Sequence, residues 1–368
     1  MNLTMVDVIA KAVLYEGYML YPYRPSSVKN QQRWNFGVLC PQSYSEAQNG
    51  SEAWTMQTEC LVEGDSSTTL DIRVRFLQLV ARSIGELAQP VPELPSSGLP
   101  EFRLVPRLEV AGRIYQTWQE AVERDVIVPT LGLEGLVLEP VAHGFTLAAG
   151  KQYEALREVG GPVTAIIIRE QTELHGVIEV TVEPVREGLY KARVLVRNLT
   201  PLVNAQQVHR EEALLSSLAS THTVLGVGNG AFCSMIAPAD ENRDAATGCQ
   251  NVGTWPVLVG EEGAQDTLLS SPIILYDYPQ IAPESAGDLF DGTEIDEILS
   301  LRIMTLTDEE KREMSQSDER ARLMLERTET LPMEQLMKLH GVLRNVRPSN
   351  LEPSLEPSIF DQSREDAR

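Results

Sequence analysis

Alternating apolar and polar positions predict a β-rich body in the first two hundred residues. Residues 5–14 alternate in part, which indicates a strand. Residues 70–76 alternate without interruption behind the turn-forming residues 64–67, so we expect a hairpin there. Residues 115–128 instead place apolar side chains at helical spacing, which predicts a short helix.

The strongest β signal lies between residues 164 and 196. Residues 176–185 and 190–197 alternate on either side of a turn sequence, which predicts an antiparallel hairpin. Asn229-Gly230 is the strongest short hairpin-turn signal that a sequence can carry, and it predicts a second hairpin. Antiparallel pairing that recurs in this way predicts a barrel or a sandwich.

Beyond residue 293 the pattern becomes helical. Thr307 and Glu310 form a capping box, in which the hydroxyl accepts from the third helical amide and the carboxylate reaches back. Ser317 begins a second helix, and Pro332 begins a third. The predicted fold class is α+β, with a β-rich, mainly antiparallel body of barrel or sandwich type and a helical C-terminal segment.

Four regions follow from these patterns. Residues 1–205 are predicted to form a β-rich domain, and residues 206–292 a mixed α/β segment with a long apolar connector. Residues 293–345 are predicted to be helical. Residues 346–368, with two Leu-Glu-Pro-Ser copies and a charged end, are predicted to be a disordered tail.

The connector at residues 270–292 raises the question of what covers it. Its apolar run at residues 273–275 predicts a buried strand, and prolines and aromatic side chains follow. Because exposed apolar residues forgo burial free energy, we expect either the β-rich body or a partner protein to cover the connector. The candidate partner-binding residues of this stretch are Tyr276, Asp277, Tyr278 and Phe290.

A second candidate partner-binding surface lies in the one locally basic segment of the chain. Its cations alternate with aromatic side chains, and the candidate residues are Tyr21, Tyr23, Arg24, Lys29, Arg33 and Trp34. In one interpretation, the aromatic side chains pack on a sheet face and the cations bind loop carbonyls or acidic neighbours. In the other interpretation, the segment binds a partner or a ligand.

The charge balance excludes some classes of partner. The chain has 368 residues, of which 53 are acidic and 31 basic, and its formal net charge is -22. Nucleic acids and anionic bilayers require a basic face, so neither is expected as a partner. No apolar stretch reaches the ~18 residues of a membrane span, and four cysteines in this length fit a reducing compartment. The sequence thus predicts a soluble cytoplasmic protein without membrane insertion.

No catalytic, metal or cofactor signature stands out in the sequence. The cysteines lack a Cys-x-x-Cys pair, and the histidines are scattered without an obvious Cys or Ser partner. These candidate ligands and bases are Cys40, Cys60, Cys233, Cys249, His143, His175, His209, His222 and His340. The sequence therefore predicts no catalytic residue, no bound metal and no cofactor.

Four stretches of the chain carry distinctive motifs, among them Leu-Tyr-Asp-Tyr-Pro at residues 275–279, and they are residues 14–30, 251–260, 270–279 and 290–299. In these stretches the chain resembles a bacterial family whose genes lie in clusters for high-affinity, oxygen-tolerant nickel–iron hydrogenases. The resemblance covers roughly residues 5–345 and implies an accessory role in maturation, assembly or scaffolding of the hydrogenase. These motifs carry no catalytic assignment, so no functional residue is transferred.

The function expected from the sequence is that of a non-catalytic accessory protein that binds a hydrogenase subunit or another maturation factor. One alternative is a metal or redox carrier that uses its cysteines. The other is an enzyme with an unrecognised pocket, which would require convergent polar groups with perturbed pKa values. The sequence leaves the oligomeric state open.

Overall fold

The computed structural model describes residues 6, 7, 9, 14, 36–95, 98–280, 303–317 and 319–330. Most of these residues lie in antiparallel strands, and eleven of the described strands form one sheet. The predicted α+β class with a β-rich, mainly antiparallel body is confirmed.

The described strands and helices have the following bounds. The strands are β1 (Thr55–Val91), β2 (Phe102–Val105), β3 (Arg107–Val110), β4 (Arg113–Gln116), β5 (Trp118–Gly132), β6 (Val141–Leu147), β7 (Gly150–Arg157), β8 (Val163–Gln171), β9 (Leu174–Arg186), β10 (Leu189–Asn198), β11 (Ala219–Phe232), β12 (Trp255–Leu258) and β13 (Thr267–Ser271). The helices are α1 (Gln42–Ala47), α2 (Leu133–Leu138), α3 (Arg210–Leu214), α4 (Arg243–Thr247), α5 (Asp308–Ser317) and α6 (Glu319–Thr330).

Strand β1 is the element on which the sheet is built. Its first part pairs with β10, its middle with β11 on one side and β5 on the other, and its last part with β2 and β8. Strand β11, which follows residue 205, belongs to this sheet through its pairing with β1 and with β13. The domain boundaries predicted at residues 205, 292 and 345 stay predictions.

The two sequences predicted to form hairpin turns, residues 64–67 and Asn229-Gly230, instead form β-bulges opposite each other in β1 and β11. Gly64 of β1 pairs with Gly230 of β11, and both strands continue past this point, so neither turn signal reverses the chain. The Thr68 hydroxyl donates to the carbonyl of Asn229 at 2.7 Å and accepts the Asp65 N–H at 2.8 Å. Asn229 has φ +54°, which Asn tolerates better than most residues. Local turn propensity is thus used here to bend two paired strands.

The main hydrophobic core lies on one face of the large sheet. Its buried residues come from β1, β5, β9, β10, β11, β12, β13 and α2. Phe76 and Phe232 are the largest fully buried side chains, and the ring of Phe76 lies 6.2 Å from that of Phe145 on β6. Each such buried aromatic side chain stabilises the fold by about 1.5–3 kcal/mol relative to exposure.

The outer face of β1 and β11 carries two further apolar clusters. In the first, Val6 and Ile9 pack with Val224 and Leu269 of β11 and β13. In the second, Leu14 packs with residues of β1, α1 and the α3 region. The four N-terminal residues that the structure describes are helical rather than extended, so the strand predicted for residues 5–14 is wrong there.

Tertiary pairing explains the other differences from the predicted elements. The helix predicted at residues 115–128 is mostly β5, because thirteen of the residues of β5 find partners along β1. The strand predicted at residues 273–275 lies earlier, in β13, because Pro272 has no N–H for a further ladder bond. The hairpin predicted between residues 176 and 197 is confirmed as β9 and β10.

The described C-terminal residues form two helices. The Thr307 N–H donates to Glu310 at 2.7 Å and the Glu310 N–H donates to the Thr307 hydroxyl at 3.3 Å, so the capping box before α5 is confirmed. The helix predicted from Pro332 and the tail at residues 346–368 lie outside the described residues. Within the described part of the chain, no helix has the length and apolar character needed to cross a membrane.

Candidate partner-binding surface

Asp277 and Tyr278 fasten the connector to strand β12. The Leu258 N–H donates to Asp277 Oδ1 at 2.9 Å, and the Tyr278 N–H donates to the Leu258 carbonyl at 2.7 Å. The Ser234 hydroxyl donates to the other carboxylate oxygen of Asp277. The connector thus satisfies backbone groups of β12 that a neighbouring strand would otherwise bind.

The connector also passes from the outer face of the sheet to the main core. Leu275 is buried in the outer cluster that contains Val224 and Leu269, whereas Tyr278 packs against the main core. Tyr278 has φ +57°, a left-handed conformation that is uncommon outside glycine. The body of the protein therefore covers part of the connector and fixes its path.

Among the connector residues that the structure describes, two large apolar side chains remain mostly outside this packing. Ile274 is 72% exposed and Tyr276 is 57% exposed. The Tyr276 hydroxyl oxygen accepts a long hydrogen bond from the Gln280 N–H, at 3.4 Å. Because Leu275 and Asp277 anchor the backbone beside them, these exposed side chains sit on a fixed support.

Two apolar side chains from other parts of the chain lie beside the connector. Trp255 is 44% exposed and lies opposite Ser271, just before the connector begins. Ile236 is 55% exposed and follows Ser234, the residue whose hydroxyl binds the connector. We call this group the connector surface, and its members are Ile236, Trp255, Ile274 and Tyr276.

Strand β12 is not suited to pairing with a strand from another chain. It lies at the end of the strand order that runs from β12 to β6. Pro256 has no N–H to donate, and both backbone groups of Leu258 are already bound by the connector. A partner at this end of the sheet would therefore be recognised through side chains rather than through an added strand.

The predicted partner-binding residues have different places in the structure. Tyr276 lies on the connector surface, whereas Asp277 and Tyr278 support it through hydrogen bonds and core packing. The remaining predicted residues lie outside the described residues: Tyr21, Tyr23, Arg24, Lys29, Arg33, Trp34 and Phe290. Sequence reasoning missed Ile236 and Trp255, because only tertiary pairing brings them to residues 274–276.

The four cysteines are free thiols whose pKa values are raised. Burial raises the pKa of Cys40 to about 11 and raises the pKa of Cys60 as well. Burial, followed by the negative charge of Glu63, raises the pKa of Cys233 to about 12. Burial also raises the pKa of Cys249 to about 11. Because the thiolate is the form that binds metals and attacks electrophiles, burial disfavours the reactive form of these thiols at neutral pH.

The surroundings of Cys233 are those of a structural thiol. Its Sγ donates to Glu63 Oε1 at 3.7 Å and accepts from the Asn242 side chain at 3.4 Å. Asn242 also donates to Glu63 at 3.0 Å, so the three side chains hold the turn before α4 against β1. Among the residues that the structure describes, no three His, Cys, Asp or Glu side chains are placed to hold a metal ion.

A Ser–His contact that sequence reasoning missed lies under the start of the connector. His222 Nδ1 lies 2.7 Å from the carbonyl of Ser220, and because a carbonyl only accepts, Nδ1 carries the proton. His222 Nε2 therefore accepts from the Ser271 hydroxyl at 3.3 Å. Ser271 in turn accepts the Ile273 N–H at 3.1 Å, so its hydroxyl both donates and accepts a hydrogen bond within the protein.

This Ser–His contact belongs to a buried polar band across β1, β11 and β13. His222 and Ser271 are 0% exposed, and Arg75 beside them forms ion pairs at 2.9 Å with both Asp7 and Asp125. Burial and the charge of Arg75 lower the pKa of His222 to about 4, against a hydrogen bond that opposes the shift. A neutral imidazole of such low pKa is a weak base. We call Arg75, His222 and Ser271 the polar band and assign it a structural role.

Two arrangements therefore stand out in the described residues. The polar band holds groups of catalytic type, but they are buried, and its Ser271 and His222 are hydrogen bonded to each other. The connector surface holds no titratable group other than a phenol, but its apolar side chains are exposed. Comparison of the chain with protein-family models, with curated proteins and with solved structures finds no match.

Proposed function

We propose that the chain is a non-catalytic accessory protein of a nickel–iron hydrogenase system. It acts in the cytoplasm in maturation, assembly or scaffolding, through contact with a hydrogenase subunit or another maturation factor. The observation that carries the binding role is the connector surface, where Ile274 and Tyr276 are exposed on an anchored backbone. The resemblance of residues 270–279 to a hydrogenase-associated family supports the choice of pathway.

The connector surface has the physical properties of a protein-binding site. Its backbone is anchored by Leu275 and Asp277, so a partner does not need to order it on binding. Tyr276 and Trp255 are of the residue types that contribute most to binding energy in interfaces. Exposed apolar side chains that lie together on a surface favour association with another protein.

The two alternative functions have less support. A cysteine-based metal or redox carrier requires accessible thiolates, whereas burial raises the pKa of each thiol. An enzyme using Ser271 and His222 requires a substrate to reach these side chains, and both are fully buried. Protein binding through the connector surface requires neither an accessible thiolate nor access to the buried Ser271 and His222.

The test is affinity purification of the tagged full-length chain from its source organism, followed by mass spectrometry. The wild type is compared with an Ile274→Ser/Tyr276→Ser variant and with a control, Val159→Ser/Val203→Ser, which alters exposed valines in other loops. We expect hydrogenase subunits or maturation factors with the wild type and the control, and their loss with the connector variant. Absence of these proteins from the wild-type eluate would overturn the hydrogenase role, and equal recovery with all three chains would overturn the role of the connector surface.

A further inference from the structure

The part of the chain that builds the connector surface is strongly acidic. Between residues 201 and 280 there are nine acidic residues, and the basic residues are Arg210 and Arg243 alone. Three of the acidic residues follow Ile236 closely, at the turn that leads into α4: Asp240, Glu241 and Asp244. Two more, Glu261 and Glu262, follow β12, whose last residue is bound by the connector. These acidic residues thus follow, along the chain, the two segments that Asp277 of the connector binds, at Ser234 and at Leu258.

Most of this negative charge is available to a partner. Asp240 pairs with the neighbouring Arg243, and Glu241 lies 3.7 Å from Arg186, but both acidic side chains are exposed. Asp244 and the pair at residues 261–262 are exposed as well, and no described cation forms an ion pair with them. The segments that follow Ser234 and Leu258 therefore carry exposed acidic groups that a bound partner can approach.

We propose that the connector surface binds a basic protein segment whose apolar or aromatic side chains are flanked by Lys or Arg. The proposal rests on the proposed function, because it names the chemistry of the partner at the same surface. An apolar centre with a charged rim is the usual arrangement of a protein interface. Complementary rim charges accelerate association and select among partners, whereas the buried apolar centre provides most of the affinity.

The charge arrangement also excludes other occupants of the connector surface. An acidic segment would place like charges beside Glu261 and Glu262, which costs binding free energy. An anionic lipid surface would be repelled for the same reason. Pairing of an added strand is blocked at Pro256, so a basic segment that binds through its side chains is the occupant that fits.

The first experiment uses three fluorescent peptide libraries and the full-length protein. The libraries share the same random apolar and aromatic positions, and these are flanked by Lys and Arg in the first library and by Glu in the second. The third library keeps Lys and Arg but has Ser at the apolar positions. Binding is measured by fluorescence polarisation at low and at high salt. We expect the affinity of the first library to be at least about tenfold higher than that of either other library. We also expect its association rate to fall as the salt concentration increases.

Variants of the protein assign this binding to the surface. Ile274→Ser/Tyr276→Ser is expected to weaken binding of the first library about tenfold or more. Glu261→Gln/Glu262→Gln is expected to slow association at low salt and to have little effect at high salt. The matched control, Glu211→Gln/Glu212→Gln, removes the same charge from α3 and is expected to leave association unchanged.

Each outcome of these experiments either supports or overturns the basic-segment proposal. Equal binding of the Lys/Arg and Glu libraries, no binding of the first library, or an equal effect of the α3 control would overturn it. The outcomes also separate it from the proposed function. If the first library binds at the connector surface but hydrogenase proteins do not co-purify, the basic-segment proposal stands and the hydrogenase role fails. If hydrogenase proteins co-purify through this surface and the library does not bind, the reverse holds.

Discussion

The polar band and the connector surface lie only three residues apart along the chain, at Ser271 and Ile274, but they differ in every physical respect. Ser271 and His222 are fully buried and hydrogen bonded to each other, whereas Ile274 points away from the packed body. From composition alone, the Ser–His contact has the more reactive chemistry. Its burial makes it part of the fold, and the unreactive but exposed side chains beside it are the ones that a partner can reach.

The difference separates two contributions to the free energy of the protein. His222 and Ser271 of the polar band are hydrogen bonded inside the protein, so removing one of them leaves the other buried and without this partner. On the connector surface, Ile274 is 72% and Tyr276 57% exposed in the isolated chain, so we expect their replacement to cost the fold less free energy. Substitutions in the polar band should therefore change mainly the stability of the protein, whereas substitutions on the connector surface should change mainly the binding of a partner.

Gly37 lies where the two regions meet, and its substitution should have the largest effect on stability. It has φ +54°, and a Cβ added there would lie 2.6 Å from the Cβ and 2.7 Å from the Cγ of Pro272. Gly37→Ala is expected to lower the free energy of unfolding by about 3 kcal/mol, because it combines left-handed backbone strain with a side-chain clash. Urea unfolding of the purified full-length chain measures this change.

Gly50→Ala is the matched control for Gly37→Ala. Gly50 has φ +77°, but no heavy atom lies within 4 Å of an added Cβ. It should therefore show the backbone strain alone, about 1 kcal/mol. Equal losses in the two variants would mean that the contact between Gly37 and Pro272 contributes nothing.

His222 should make the stability of the polar band depend on pH. Its pKa is lowered to about 4 in the folded chain, against an ordinary value of 6.5, so between these pH values the unfolded chain binds more protons. Stability from this group is therefore lost as the pH falls from 6.5 towards 4. Between pH 7 and pH 5 the expected loss is about 2 kcal/mol.

The pH effect is measured as the difference between the wild type and a His222→Gln variant in urea unfolding at the two pH values. Removal of the imidazole should flatten the pH dependence by that amount, although the variant is less stable overall. His209→Gln removes an exposed histidine and serves as the control. A slope that is unchanged in His222→Gln would contradict the assignment of this titration to the polar band.

Asp277 joins the connector to the body, and its removal should have an intermediate effect. Asp277→Ala leaves the Leu258 N–H and the Ser234 hydroxyl without their acceptor, which is expected to cost about 1–2 kcal/mol. Asp277→Asn keeps one carbonyl oxygen and can still accept from Leu258, so it should cost less. Thermal unfolding compares the two variants, and a reversed order would show that the negative charge matters more than the acceptor.

Changes on the connector surface itself should have the smallest effect on stability. Ile274→Ser/Tyr276→Ser is expected to change the free energy of unfolding by no more than about 0.5 kcal/mol, because neither side chain is packed in the body. The same variant should lose partner binding. A large loss of stability would place these side chains with the polar band and remove the distinction between the two regions.

Elements with local signals were predictable from the sequence. The hairpin of β9 and β10 follows from alternation on both sides of a turn, and the capping box of Thr307 and Glu310 needs only residues of one helical turn. Strand β5 was not predictable in this way, because its apolar spacing suits a helix and only pairing with β1 decides the outcome. Asn229-Gly230 is a second example. Its sequence correctly indicates a residue with positive φ, but that residue lies in a β-bulge rather than in a hairpin turn.

The candidate surface was predictable only where it is continuous in sequence. Tyr276 could be identified from the apolar and aromatic character of the connector. Trp255 and Ile236 join it through strand pairing and through the Ser234 hydrogen bond, and neither contact has a sequence signal. The contact between His222 and Ser271 was missed for the same reason, because 49 residues separate the two.

The most direct measurement is site-specific photocrosslinking in the source organism, with a photoreactive phenylalanine derivative in place of Tyr276. The matched chain carries the same residue in place of Val159, an exposed position in another loop. The account predicts a cross-linked hydrogenase subunit or maturation factor at position 276 and none at position 159. No cross-link at position 276, or the same products from both positions, would contradict the claim that the connector surface binds the partner.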